Sequence, residues 1–412
     1  MIEEALILSL IWLSYSATKR TKFPQIEKAV PPQLATLQCV EYTEDFGNFV
    51  STFYCKPMIE TLTIKKTLVS NSKLSELNLD GIQFGSTYSD HMFLADYRDG
   101  AWNDCRIEPF ESFSVSPAMS VLHYSQSIFE GLKAYAGPNG EVLVFRPVDN
   151  FLRMNESAVR MCIPELPEEV FMGGLLELLK TDKQWVPNDE GTSLYIRPFV
   201  IATDDFIGVR PSNNYRFMIF TSPAGVYYSE PVKVKIEKYY SRAFPGGTGA
   251  AKAGGNYAAS LYPAKLAQEA GYHQLIWTDG LTHKFIEEAG TMNIMFVIGD
   301  RILTSKVGET VLNGITRRSV LHLAREWGYT VEERDVSVRE IIEAIENGSL
   351  NEAFGTGTAA TIAHIAVINN EGTDYELPEI ESRKFSNRVL KELSDIKTGR
   401  IEDRFNWNMK VQ

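Results

Sequence analysis

The apolar pattern of this chain changes period repeatedly, and hairpin signals interrupt it so often that a purely parallel, doubly wound sheet does not suit it. Strand-like runs at 132–135 and 142–145 flank Gly137-Pro138-Asn139-Gly140, a turn-forming tetrad. Asp149 then reads as the N-cap of a helix over 151–162, and a second helix is expected over 168–180. Residues 193–202 and 216–221 read as strands, and the breaker cluster Ser222-Pro223-Ala224-Gly225 marks the best boundary. Beyond it, strands are expected at 232–236 and 274–278, and 293–298 should pair with 302–304 across Gly299-Asp300. Helices are expected over 257–270, from Thr316 and over 337–346. The fold class that follows is α/β with mixed sheets (α+β in character), in two domains. The expected limits are an extension at 1–57, a small domain at 58–221, a connection at 222–228 and a large cofactor-binding domain at 229–412.

A length of 412 residues supports two cores rather than one. The net charge of −12 argues against nucleic acid or an anionic membrane as the main partner, since both select basic surface. Cys39, Cys55, Cys105 and Cys162 have neither metal-ligand spacing nor a C-x-x-C pair, which fits a reduced, cytoplasmic setting. The apolar stretch 5–17 is short for a membrane span, and Glu3 and Glu4 stand where a signal peptide carries positive charge. The expectation is an extension without fixed structure upstream of a second start at Met58.

Several segments carry chemistry. In Ala250-Ala251-Lys252-Ala253-Gly254-Gly255-Asn256-Tyr257 the lysine has little bulk around it, so an aldehyde can approach its amine. A phosphate-binding P-loop would need glycine before the lysine and Ser or Thr after it, and Ala251 and Ala253 break both requirements. An idle surface lysine is the competing reading. Glu287-Glu288-Ala289-Gly290-Thr291 places a carboxylate before a tight turn, which is either a solvated acidic pair or the acid beside a cofactor ring nitrogen. Leu312-Asn313-Gly314-Ile315-Thr316-Arg317 runs into a helix start and offers amides and a positive dipole end to a phosphate, as Arg153 could. Phe354-Gly355-Thr356-Gly357-Thr358-Ala359-Ala360 imitates a dinucleotide fingerprint, but β-branched residues follow where a helix should open. A turn whose N–H groups meet a carboxylate suits it better. In Tyr195-Ile196-Arg197-Pro198, strand alternation puts Tyr195 and Arg197 on one face, where the arginine lines a cavity or sits at an exposed edge.

In this order, and together with His123-Tyr124-Ser125, Phe129-Glu130-Gly131 and Phe145-Arg146-Pro147, these segments resemble branched-chain-amino-acid aminotransferases of the fold-type-IV pyridoxal-phosphate class. The resemblance runs from Leu62 to the C-terminus. It implies pyridoxal 5'-phosphate held by Lys252 as a Schiff base, with Lys252 also shuttling the proton. Glu288 would pair with the pyridine nitrogen and Tyr257 with the phenolic oxygen. Arg153, Thr291, Ile315, Thr316 and Thr358 complete the implied cofactor site. The implied substrate site comprises Tyr124, Phe129, Tyr195, Arg197, Thr358 and Ala359, with Tyr227 and Arg242 closing over it. Leucine, isoleucine and valine would exchange their amino group with 2-oxoglutarate. The resemblance also implies a homodimer in which Tyr124 and Phe129 serve the neighbouring site. Ala360 and Ala363 stand where animal members carry a C-x-x-C pair, so no thiol switch is expected there. A D-amino-acid transaminase, a lyase of the same fold and a non-catalytic cofactor carrier are the alternatives. Tyr195 and Arg197 favour the branched-chain enzyme, and the intact Lys252, Glu288 and Tyr257 set argues against a carrier.

Overall fold

The structure, a computed structural model, describes residues 38–41, 53–56, 62–78, 82–225 and 230–412. Met58 and Tyr227 therefore lie outside the described residues. Within the stretch expected to lack structure, Gln38–Glu41 pairs antiparallel with Phe53–Lys56. The remainder, Leu62–Gln412, is a separate unit built on two sheets. Among the described residues no helix is long and apolar enough to cross a membrane.

The first sheet runs Asn408–Val411, Val142–Phe145, Leu132–Ala136, Ser193–Ala202, Tyr215–Ala224, His91–Arg98, Ala101–Pro109 and Lys65–Lys66, with Ser127–Phe129 also pairing with Ser193–Ala202. All its pairs are antiparallel except the one at Lys65–Lys66. The helices Pro147–Arg160 and Glu168–Thr181 cover one face. Phe171 stacks on Phe217 with ring centroids 5.7 Å apart, and Gly174 leaves room for the Phe93 ring. Each such buried apolar side chain contributes about 1.5–3 kcal/mol.

The second sheet closes on itself. Met292–Ile298, Leu350–Gly357, Thr361–Asn370, Val232–Ile236, Gln274–Thr278 and Phe285–Ala289 pair in turn, and Phe285–Ala289 pairs back with Met292–Ile298. Val232–Ile236 is parallel to both its neighbours and the other pairs of the ring are antiparallel, so the sheet is mixed. Closure leaves these strands without free edges. Phe145 of the first sheet, Met295 and Phe354 of the ring, and the helices Ile315–Glu326 and Phe385–Lys397 share one apolar cluster. That cluster sets the distance between the sheets, and with it the space between them.

Three local expectations are corrected. Asp149 is not an N-cap: the helix begins at Pro147, whose fixed φ suits the first helical position. The Asp149 carboxylate lies in the first turn and pairs with Arg146 at 2.6 Å and Arg318 at 3.0 Å. Ser222-Pro223-Ala224 does not break the strand, which continues to Ala224 and pairs with Ser193–Ala202 along its whole length. On the other side its pairing with His91–Arg98 stops at Phe220, so Pro223 removes no ladder bond from that edge. The helix expected over 257–270 spans Gly254–Glu269 and starts immediately after Lys252 and Ala253. Ser337 does cap Val338–Glu346, accepting from the Glu340 amide.

Candidate active site

Between the first sheet and the closed ring lies a cavity of about 170 Å³. The Lys252 side chain enters it from a backbone held on two sides. Its N–H donates to Ser157 Oγ at 3.0 Å, and its carbonyl accepts from the Phe129 N–H at 3.0 Å. Helix Gly254–Glu269 begins two residues later, which brings Tyr257 round to the same side. Lys252 Nζ donates to the Tyr257 hydroxyl at 3.0 Å and stands 4.9 Å from the centre of the Phe129 ring.

Glu288 is 4% exposed. Gly290 turns the chain after it at φ +57, where a Cβ would also strike Gln274. One Glu288 oxygen accepts from the Leu312 N–H at 2.8 Å, and the other faces Arg242 Nε at 3.1 Å. Burial pushes the Glu288 carboxyl above its ordinary pKa, opposed by Arg242, the Leu312 amide, Lys252 and Arg153. Glu287 points away from the cavity, as strand alternation requires, and burial raises its pKa too.

At the other end, helix Ile315–Glu326 opens after Gly314, and no side chain caps it. Gly314, Ile315 and Thr316 at its start line the cavity, and the first turn of a helix has N–H groups without intrahelical partners. Arg153 lies beside them. Its Nε and Nη2 donate to the two oxygens of buried Glu130, each at 2.7 Å, and its Nη1 donates to the Asn313 carbonyl at 3.1 Å. A guanidinium has five N–H groups, so two remain for an anion.

A third wall comes from Ser193–Ala202 and the turn 358–360. Arg197 Nη2 donates to the Tyr195 hydroxyl at 2.8 Å, and its guanidinium lies 4.6 Å over the Phe129 ring. Arg197 Nε is buried without a partner. Gly131 leaves room for the Tyr195 hydroxyl, and its carbonyl accepts from Thr358 Oγ1 at 3.0 Å. The amides of Thr358, Ala359 and Ala360 donate to no backbone acceptor among the described residues.

One cavity thus gathers Arg153, Lys252, Tyr257, Glu288, Thr291, Ile315, Thr316 and Thr358 with Phe129, Tyr195, Arg197 and Ala359. Arg242 is a correction. It does not close over this cavity but lies behind Glu288, donating to the Gly249 carbonyl at 3.3 Å and to the Thr310 carbonyl. A buried carboxylate needs a counter-charge, and Arg242 supplies it. Tyr124 is also absent from the lining; it is exposed, and its hydroxyl donates to the Ile207 carbonyl. Sequence reasoning missed Glu130 and Phe84. No local signal marks Glu130, because the burial of Arg153 that requires a partner shows only in the structure. Phe84, whose ring lies 4.9 Å from that of Tyr195, comes from a turn-rich segment with no periodic signal.

The amino-transferase class IV family model matches residues 127–368, more than half of the chain. The chain belongs to the class IV aminotransferase family. This class IV aminotransferase is 43% identical over 353 residues to branched-chain-amino-acid aminotransferase 2 of Bacillus subtilis (strain 168), covering 85% of this chain and 97% of that one. It is 42% identical over 337 residues to the branched-chain-amino-acid aminotransferase of Mycolicibacterium smegmatis, covering 80% and 92%. Among solved structures, the Escherichia coli branched-chain amino acid aminotransferase is similar at TM-score 0.63 and 25% identity, over 78% of this chain and 99% of that one. The Thermoproteus uzoniensis branched-chain aminotransferase, solved with norvaline, shares the fold at TM-score 0.65 and 24% identity, over 78% of this chain and 100% of that one.

Proposed function

We propose that this protein is a pyridoxal-phosphate-dependent branched-chain-amino-acid aminotransferase, exchanging the amino group of leucine, isoleucine or valine with 2-oxoglutarate in two half-reactions. The observation that carries this reading is the Lys252–Tyr257 pair opposite a buried Glu288 and an uncapped helix start. The donor set fits the cofactor: an amine for its aldehyde, a hydroxyl for its phenolic oxygen, an acid for its ring nitrogen and amides for its phosphate. When bound, pyridoxal phosphate supplies an electron sink for charge that develops at the substrate Cα.

The chain's own groups do the rest. The amides of Ile315 and Thr316, with the two spare N–H groups of Arg153, hold the phosphate. Thr291 and Thr358 border the same group. Glu288, kept in place by Arg242 and the Leu312 amide, holds the proton on the ring nitrogen. Lys252 Nζ would move the proton at the substrate Cα. The turn at Thr358–Ala359 binds the α-carboxylate that every substrate carries. Phe129 and the tyrosine rings receive an apolar side chain, and Arg197 receives the distal carboxylate of glutamate.

An absorbance spectrum of the holoenzyme, titrated first with L-leucine and then with 2-oxoglutarate, tests the whole reading. The cofactor band should shift with the first addition and return with the second. No change with leucine, or no return, would overturn it. Arg197→Gln tests the two-substrate arrangement. A charged hydrogen bond contributes about 1.5–3 kcal/mol, so KM for glutamate and 2-oxoglutarate should rise roughly tenfold to a hundredfold. Leucine and its oxo acid should change far less. Equal damage to both would place Arg197 on the shared carboxylate instead.

The domain division that supports this function is a small domain from 58 that carries the first sheet and keeps its strand Tyr215–Ala224 whole, a connection after that strand, and a cofactor-binding domain from 229, with Asn408–Val411 returning to the first sheet. This reading assigns Tyr227, in the connection, to the substrate site, and the enzyme works in the cytoplasm as a homodimer. Exposed Tyr124, Leu122, Phe206, Ile207 and Val209 support the dimer, since apolar patches of this kind mark protein contacts. In the dimer Tyr124 completes the neighbouring site. Light scattering on the purified enzyme should give twice the chain mass, and a monomer of full activity would overturn the shared site.

A further inference from the structure

Behind the turn 358–360 lies a second cavity, of about 300 Å³. Ala359 and Ala360 line both it and the active-site cavity, so the turn is the partition between them. Two lysines reach the turn from this rear side. Lys133, on Leu132–Ala136, is 8% exposed and donates from Nζ to the Ala359 carbonyl at 2.7 Å. Lys397, the last residue of Phe385–Lys397, is 4% exposed and donates to Thr361 Oγ1 at 2.7 Å. Thr361 stands at φ +62, a conformation that a β-branched residue keeps only when its surroundings hold it there.

Neither ammonium group is paired with a carboxylate among the described residues. Nearby Glu190 is taken by Arg400 at 3.0 Å, and Asp395 by Lys391 at 2.5 Å. Tyr135, which also lines the cavity, stays neutral because burial raises its pKa. Burial pulls Lys133 down to about 8, and burial with repulsion from Lys133 pulls Lys397 down to about 7. Two buried amines without counter-charges are a poor choice for stability, and apolar side chains of similar length would serve it better. Their presence calls for another reason, and the hydrogen bonds they make supply it.

We infer that Lys133 and Lys397 are positioning residues that clamp the Thr358–Ala360 turn from behind, keeping its free amides directed at the α-carboxylate common to all substrates. This rests on the reading of the turn as the carboxylate site. A purely structural pair would lower stability and activity together when replaced. A clamp separates them: substrate carboxylate binding weakens while the fold holds or gains. The stability gain has a defined pH dependence. Folded Lys397 sheds its proton near pH 7, whereas the unfolded chain keeps it to 10.5, so wild-type stability climbs with pH across that interval. Lys397→Met should therefore stabilise most at and below pH 7, with the advantage fading towards pH 10.5.

The experiment uses holoenzyme of Lys133→Met and Lys397→Met, with L-leucine, 2-oxoglutarate and 3-methylbutylamine, which is leucine without its carboxylate. KM for leucine and for 2-oxoglutarate should both rise roughly tenfold. The rate with 3-methylbutylamine, the bound-cofactor spectrum and Tm at pH 7 should be unchanged, or Tm higher. Unchanged KM values in folded variants would overturn the clamp, as would equal damage to the amine reaction. If either Met variant fails to fold, Lys133→Arg and Lys397→Arg keep a donor in place, and KM values within about threefold of wild type are expected. Folded Arg variants with larger increases would count against the inference. Should wild type itself fail to prefer leucine over 3-methylbutylamine, the turn is not the carboxylate site, and both readings fall.

Discussion

Lys252→Ala is expected to fold, to bind pyridoxal phosphate through the phosphate contacts, and to lose turnover by about 10⁴-fold. The fold should survive because the backbone of Lys252, not its side chain, is what ties Ser157 and Phe129 together. What disappears from the protein's own network is the hydrogen bond of Nζ to the Tyr257 hydroxyl, its contact with the Phe129 ring and its charge near Glu288, none of which holds the backbone in place. The absorbance band of the lysine-linked cofactor should be replaced by that of the free aldehyde. Steady-state transamination of leucine, measured without added amines, checks the expectation. Repeated turnover at even a hundredth of the wild-type rate would remove Lys252 from its assigned role.

Glu288→Gln is expected to lower kcat by about 10²–10³-fold, while Glu287→Gln leaves it within a few-fold. An amide in place of Glu288 can still accept from the Leu312 N–H, so the loop before Ile315–Glu326 should stay in place. The negative charge is what is lost. Without it Arg242 loses its closest counter-charge, and nothing holds the proton on the cofactor ring nitrogen. Glu287 is also buried, but it faces away from the cavity and has no part in that proton. The discriminating measurement is kcat for both variants beside the pH dependence of the bound-cofactor spectrum. A collapse on changing Glu287 alone would show that the assignment is displaced by one residue.

Local sequence was enough for what depends on a few neighbours. Strand alternation put Tyr195 and Arg197 on one face, and Arg197 lines the cavity rather than an exposed edge. The β-branched run after Ala360 excluded a helix, and Thr361–Asn370 is a strand. The glycine at 290 and the helix start at Ile315 were visible for the same reason, since turns and caps are set by adjacent residues. Asp149 was misread because a capping residue and a first-turn acid have the same sequence signature. The extension of the strand through Pro223 depended on the pairing with the neighbouring strand His91–Arg98 stopping at the Phe220–Met92 pair, which no window around Pro223 contains. Closure of the ring, Arg242 behind Glu288, Glu130 against Arg153 and the two lysines behind the turn are all contacts between distant segments. Residue type and order determined which chemistry the chain could carry. The tertiary structure alone decided which charges meet, because burial without a partner is costly and the partner's identity depends on packing, not on sequence distance.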